Sequence, residues 1–392
     1  LKDLAEKGYL PSYYDLAMSY IWGNGVKQNA VKGVEWMKKS ATKASDARAM
    51  ESLAQILLEH RAGYLAQVKV LDSIESGIEW RKKAAELGDA EAQHNLFIQY
   101  YNGDYEAADK AQAIKWLKTS AENGFPIAQF ELGKMYSWGE DLPKDYQKAI
   151  TLYESAAEKG IEMANHRLGG IYFAGLGVEI NHQKALEWLN PVGMNISEAA
   201  SLIGMIYYSG KDVKIDRNAA EFWITQSQDP ELLAVLPSLY INKKYGNIDL
   251  DKAEQLALEI IPKLSGDGRA LVAIILWSVY QKNDQLEDSM YWLTEAANLG
   301  NLDAAEALGV HFLVDRYWNL EKSRKWFKKA ALAGSPDAAF GLATTYMYNA
   351  SDLTKARYWF EIAGSGGNAG AESVLVELDA IEKEERQRLV KA

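Results

Sequence analysis

The residue types that carry hydrolytic, redox or metal chemistry are few in this chain, and their spacing fits none of those chemistries. There is no cysteine, which excludes disulfides, thiolate metal sites and cysteine nucleophiles together. The five histidines are His60, His94, His166, His182 and His311. No two stand three or four residues apart, the spacing that puts two imidazoles on one helix face to grip a metal. His94 and His166 recur in equivalent places and are expected to line one groove without forming a zinc site. Gly266-Asp267-Gly268 follows no strand and reads as a turn between repeats, not as a dinucleotide loop. Glu384-Glu385 belong to a mixed-charge, solvated tail. No nucleophile, base and orienting group fall into a catalytic pattern. The expectation is a non-enzyme with no cofactor and no metal.

Composition narrows the partners. Lys and Arg total 43 against 54 Asp and Glu, a net charge of −11. Nucleic acid calls for a basic stripe, and anionic lipid for a basic cluster, so neither is the expected partner. The hydrophobic share of 48% is ample for a core. No run of about 18 apolar residues is present, so no membrane-spanning helix is expected. The chain starts at Leu1 rather than Met, which reads as a mature or trimmed form, from which any signal peptide or lipid-anchored cysteine would be missing.

The elements that position these residues are announced by tryptophan. It recurs at Trp36, Trp80, Trp116, Trp188, Trp223, Trp292, Trp326 and Trp359, with gaps of 44, 36, 72, 35, 69, 34 and 33 residues. Leu152 and Leu258 fill the two widest gaps, giving ten copies of one unit. An insertion at residues 61–73 accounts for the gap of 44. Self-similarity at this period marks a helical solenoid.

Residues 125–160 show the unit. Ala128, Leu132, Gly133 and Tyr136 fall on one face of a first helix, and Pro126 sits at its start, where the missing N–H costs nothing. A second helix from about Tyr146 to Lys159 carries Ala149, Leu152, Ala156 and Ala157 on one stripe, and Gly160 closes it. Gly follows the Trp slot by eight residues in six repeats, as Gly88, Gly124, Gly160, Gly300, Gly334 and Gly367. The tryptophans are therefore expected to be wedges between helices.

This unit resembles the SEL-one-like repeat (SLR), a relative of the tetratricopeptide repeat. The resemblance rests on Ala, Leu-Gly and Tyr in the first helix, and on Gly-rich turns such as Gly23-Asn24-Gly25-Val26 and Gly175-Leu176-Gly177-Val178. It rests also on Lys-Ala pairs at Lys148-Ala149, Lys184-Ala185, Lys252-Ala253 and Lys355-Ala356. It covers nearly the whole chain. It implies an all-α, right-handed superhelical solenoid of about ten helix-turn-helix repeats with a C-terminal capping helix.

Departures from the pattern set the expected organisation. Residues 1–188 read as N-terminal SLR repeats. Residues 189–240 read as degenerate repeats with a change of curvature, because Asn190-Pro191-Val192-Gly193 and Gln228-Asp229-Pro230 replace the Ala-Ala-Gly ending. Pro237 falls inside a predicted first helix, which it should bend or break. Residues 241–367 read as SLR/TPR-like repeats with short turns at Lys282-Asn283-Asp284 and Asn349-Ala350-Ser351. Residues 368–392 read as the capping helix, with Val374, Leu375, Leu378 and Ile381 on its apolar side.

In the related tetratricopeptide fold the first helices line the concave face. Their outward stripe lies two, six and nine residues beyond the Ala slot. Here that stripe is aromatic and apolar. Its members Tyr14, His94, Tyr101, Phe130, Lys134, His166, Phe173 and Tyr208 are the candidate partner-binding residues, Lys134 being the cation among them. The resemblance implies a protein-binding scaffold or adaptor at a bacterial envelope or host interface, periplasmic or envelope-associated, with a cytoplasmic location still open. Two alternatives stand beside it. One is a component of exopolysaccharide or envelope assembly whose groove touches glycan. The other is an immunity-type protein that binds a toxin.

Overall fold

The computed structural model describes residues 1–58, 74–104, 107–314, 317–348 and 352–391. His60, the insertion at 61–73, the turn Asn349-Ala350-Ser351 and the side chains of Ile381 and Glu384-Glu385 lie outside the described residues. Every extended regular element described is a helix. Contacts divide the chain into two units, Leu1–Val192 and Gly193–Ala392.

In the N-terminal unit a short α1 (Lys2–Glu6) precedes five helix pairs. They are α2 (Ser12–Trp22) with α3 (Ala30–Lys43), α4 (Ala47–Leu58) with α5 (Ile74–Glu86), α6 (Ala90–Asn102) with α7 (Lys110–Glu122), α8 (Pro126–Trp138) with α9 (Tyr146–Glu158), and α10 (Glu162–Ala174) with α11 (His182–Leu189). The C-terminal unit opens with α12 (Ser197–Ser209) and α13 (Arg217–Ser227). Two short helices, α14 (Pro230–Leu233) and α15 (Ser238–Ile241), then lead to α16 (Leu250–Ile260). The remaining pairs are α17 (Gly266–Lys282) with α18 (Leu286–Asn298), α19 (Leu302–His311) with α20 (Leu320–Leu332), and α21 (Pro336–Met347) with α22 (Leu353–Ser365), before α23 (Ala369–Lys391).

The local chemistry explains these boundaries. Eight second helices begin at Asn or Asp, whose side chain accepts from a backbone N–H in the first turn: Asn29, Asp109, Asp145, Asn181, Asp216, Asp249, Asn319 and Asp352. Each such cap contributes about 1 kcal/mol. The chain leaves the second helices through left-handed glycines, with Gly88 at φ +91° and Gly334 at φ +100°. Gln93 and Gln129, one residue beyond the Ala slot, donate to the Ala85 and Ala121 carbonyls at 2.9 and 3.1 Å. They thereby add a second donor to last-turn carbonyls that already accept from the Gly88 and Gly124 N–H groups, tying each first helix to the preceding second helix.

The tryptophans pack as part of the core, but the deepest wedge is the residue after each. Met37, Leu117, Tyr153, Leu189 and Ile224 are 0% exposed. Trp36, Trp116 and Trp188 are half-buried beside them. This wedge explains the glycine of the Leu-Gly pair. A Cβ on Gly133 would stand 2.8 Å from Tyr153 Cε1, and one on Gly169 would stand 2.3 Å from Leu189 Cγ. Only a bare Cα lets the wedge seat against the first helix.

Three details correct the sequence reading. Leu258 is 43% exposed, whereas Leu256 and Ala257 are buried. The slot lies three residues after the Ala of Lys-Ala, which is Leu256 after Ala253, and this repeat is two residues shorter than assumed. Gly266-Asp267-Gly268 form the first turn of α17 rather than a turn between repeats. The tryptophan ladder lies beside the deepest wedge and does not form it. At Pro237 the first-helix path is interrupted between Leu233 and Ser238, as a residue with no N–H and a ring against the preceding turn requires. In α23, Leu378 is 1% exposed, and Val374 and Leu375 pack on the last core cluster.

Candidate functional site on the first helices

Within the N-terminal unit, side-chain contacts join the first helices in order. Tyr14 Oη lies 3.3 Å from Ser52 Oγ, linking α2 to α4. Asn95 Nδ2 donates to Glu51 Oε1 at 2.9 Å, and Gln55 Nε2 donates to Glu91 Oε1 at 2.9 Å, linking α4 to α6. His94 Nε2 lies 2.9 Å from Glu131 Oε2, linking α6 to α8. The Arg167 guanidinium stands 5.9 Å from the Trp138 ring, linking α8 to α10. A continuous first-helix face results.

The expected binding residues take different positions on it. His94 is 6% exposed, held between Phe97, Phe125 and Glu131; it serves the stacking of first helices. Tyr14 is half-buried beneath Arg48, whose guanidinium lies 4.9 Å from its ring. Tyr101 Oη donates to Asp141 at 2.8 Å, and Lys110 both pairs with Asp141 at 2.8 Å and lies over the Tyr101 ring. Hydrogen bonding to Asp141 raises the Tyr101 phenol above its ordinary pKa, and the same cluster holds Asp141 below its own. Phe130 is half-buried against Tyr153, 5.7 Å between ring centres, and Phe173 packs on His182 at 5.5 Å. Tyr208 belongs to the C-terminal unit, where it stacks on Tyr245 at 5.1 Å and bonds Ser238 at 3.1 Å.

His166 lines a cavity of about 200 Å³ between α8, α9 and α10, and Lys134 stands by the ring of Trp138, one of its walls. His166, Trp138, Arg167 and Tyr153 are among its walls. Trp138 is 49% exposed, with the Lys134 ammonium 4.9 Å and the Arg167 guanidinium 5.9 Å from its ring. The Tyr153 hydroxyl is tied to Ser137 at 2.9 Å, and burial raises its pKa. An aromatic plate carrying two cations beside an apolar recess can grip a group that is part apolar and part anionic.

The sequence reading missed Trp138 and Arg167. They lie ten and three residues beyond their Ala slots. At about 100° per residue, those offsets fall just outside the stripe drawn at two, six and nine. It also missed a buried ion pair. Arg81, 4% exposed, occupies the wedge position after Trp80 and donates to Glu51, 3% exposed, at 3.0 Å. Burial pushes the Glu51 carboxyl up to about 7, against the opposing pull of Arg81 and Asn95. The signal was present: a charged residue in a slot where other repeats carry Met, Leu, Tyr or Phe.

Among the described residues, no group of three or more metal-ligating side chains is gathered, and no helix is long and apolar enough to cross a membrane.

Comparison with known proteins places this architecture. The profile of the Sel1 repeat matches residues 10–45, 47–89, 90–125, 126–161, 162–191, 197–227, 280–301, 303–335 and 336–368. The unmatched stretch 228–279 holds the interrupted helix at Pro237. A protective antigen present in uropathogenic Escherichia coli strains, displaying an SLR fold, is 26% identical with a TM-score of 0.63, over 96% of this chain and 81% of that one. A Sel1 repeat protein from Oxalobacter formigenes is 23% identical with a TM-score of 0.61, over 82% of this chain and 95% of that one. A search of curated protein sequences finds no match. With nine matched repeats over most of its length, the chain belongs to the Sel1 repeat family, an all-α class of helical-repeat proteins that generally mediate protein–protein interaction.

Proposed function

We propose that this protein is a scaffold or adaptor that docks a partner protein on the first-helix face of its N-terminal unit. The observation that supports this is the half-exposed Trp138 plate with Lys134 and Arg167 beside an apolar recess. Large aromatic and Arg side chains at the rim of a recess are the groups that anchor protein interfaces. Phe130, His166 and Phe173 continue the surface along α8 and α10, while His94 holds the stack beneath it. The likeness to the Escherichia coli antigen supports a setting at the bacterial envelope or host interface.

The test is partner capture from extracts of the native organism, with the chain and a variant carrying Trp138→Ala and Phe173→Ala. The variant should keep its helical circular dichroism and lose its captured partner. An unchanged capture profile with the fold intact contradicts the reading.

A further inference from the structure

We infer that the recess at Trp138 receives an acidic side chain from within an extended segment of the partner, with an apolar residue beside it. The inference rests on the docking reading above and goes further by naming the chemistry of the occupant.

Charge complementarity carries it. The chain as a whole is acidic, at −11, and some of its cations are neutralised within the fold, as Arg81 is by Glu51 and Lys110 by Asp141. Lys134 and Arg167 share one ring at the mouth of a recess. Among the described residues neither forms an ion pair, and Arg167 Nε is buried without a hydrogen-bond partner. Glu131, on the same helix as Lys134 and Trp138, is already held by His94. Two cations on one indole ring with no carboxylate of their own attract an anion from outside.

The recess supplies the apolar half. Trp138, Ile171 and Leu176 offer apolar surface, and the Tyr153 hydroxyl is turned to Ser137. Its volume of about 200 Å³ suits a side chain and not a folded element. The floor is open at Gly170, where an added Cβ would meet nothing within 4 Å. A backbone can therefore run across α10 and continue, which fits an internal segment rather than a chain end.

The experiment uses the full chain and a set of synthetic twelve-residue peptides, amidated at the C-terminus. Each carries one Glu or Asp beside Leu or Phe in a Ser/Asn background; matched peptides carry Gln or Asn instead. Affinity is read by fluorescence anisotropy at low and at physiological salt, against wild type, Arg167→Gln, Lys134→Gln and Trp138→Ala.

The expected result is that acidic peptides bind about tenfold more tightly than their amide counterparts. Arg167→Gln should abolish that preference while leaving residual apolar binding, and Trp138→Ala should weaken acidic and amide peptides alike. The inference is overturned by equal binding of the two sets, by a preference that survives Arg167→Gln and Lys134→Gln, or by no peptide binding up to about 1 mM. A preference for free C-termini on neutral peptides overturns it in favour of a chain-end site. Binding of oligogalacturonate without acidic peptide binding overturns it in favour of acidic glycan. If capture of the partner still depends on Trp138 and Phe173 while the acid preference is absent, the docking face stands and the carboxylate subsite falls.

Discussion

Replacing Arg81 by Met should convert a buried ion pair into a pH-dependent weakness in the N-terminal unit. Arg81 and Glu51 are 4% and 3% exposed, and Arg81 donates to both carboxylate oxygens. In the wild type the Glu51 carboxyl titrates at about 7 instead of its ordinary 4.5, because burial outweighs Arg81 and Asn95. The folded chain thus holds this proton more tightly than the unfolded chain. Between pH 4.5 and about 7 the unfolded state binds fewer protons, so stability falls as pH rises through that window. The full span corresponds to ~3 kcal/mol.

Arg81→Met removes the group that opposes burial, and the carboxyl pKa rises further. At about pH 8 the variant must either bury an uncompensated carboxylate or draw a proton from dilute solution, a cost of ~3–5 kcal/mol. At about pH 5 the carboxyl is already neutral, and the loss reduces to hydrogen bonds worth about 1–2 kcal/mol. Because each repeat packs only on its neighbours, the loss should appear locally, as faster amide exchange in α4, α5 and α6, before it shifts the whole urea transition. Replacing both residues by Met should recover most of the stability. Equal losses at the two pH values, or an Arg81→Met variant as stable as wild type at the higher pH, would refute the reasoning.

Three further outcomes test the packing. Gly169→Ala should destabilise by about 1–3 kcal/mol, since its Cβ would sit 2.3 Å from Leu189. Gly170→Ala, with nothing within 4 Å, should stabilise by about 0.5–1 kcal/mol through helix propensity; urea midpoints of the two variants distinguish them. Leu256→Ala should cost about 2–5 kcal/mol and Leu258→Ala less than about 0.5 kcal/mol, and the reverse order in thermal melts would restore the original register. Asp145→Ala should cost about 1 kcal/mol by removing the cap on α9, visible as early fraying of α9 in hydrogen exchange.

The fold was legible because its determinants are local. The Ala, Leu-Gly and Tyr spacing writes the buried face of a first helix, and the closing glycines at Gly124 and Gly160 write the left-handed exit of a second helix. Periodicity located the tryptophans but not the deepest wedge, because the following residue varies from Met37 to Tyr153 to Ile224. Only the fit of Tyr153 on Gly133 shows which of the two enters the core. The Pro237 break was legible for a steric reason that needs no partner. The candidate surface was harder to read. Trp138 on α8 and Arg167 on α10 meet from offsets outside the stripe, a meeting between repeats that a linear sequence does not carry. His94 was drawn as a groove residue, but Glu131 on the next helix makes it a cross-link, a pairing between repeats that helical periodicity does not encode.

The most direct test of the account places a benzoylphenylalanine photo-crosslinker in the chain within native cells. Positions Trp138 and Phe173 probe the first helices; exposed Glu35 and Thr151 probe the second helices. The account predicts one discrete protein adduct from Trp138 and Phe173, and none of that adduct from Glu35 and Thr151. The same adduct from Glu35 and Thr151 alone would contradict it.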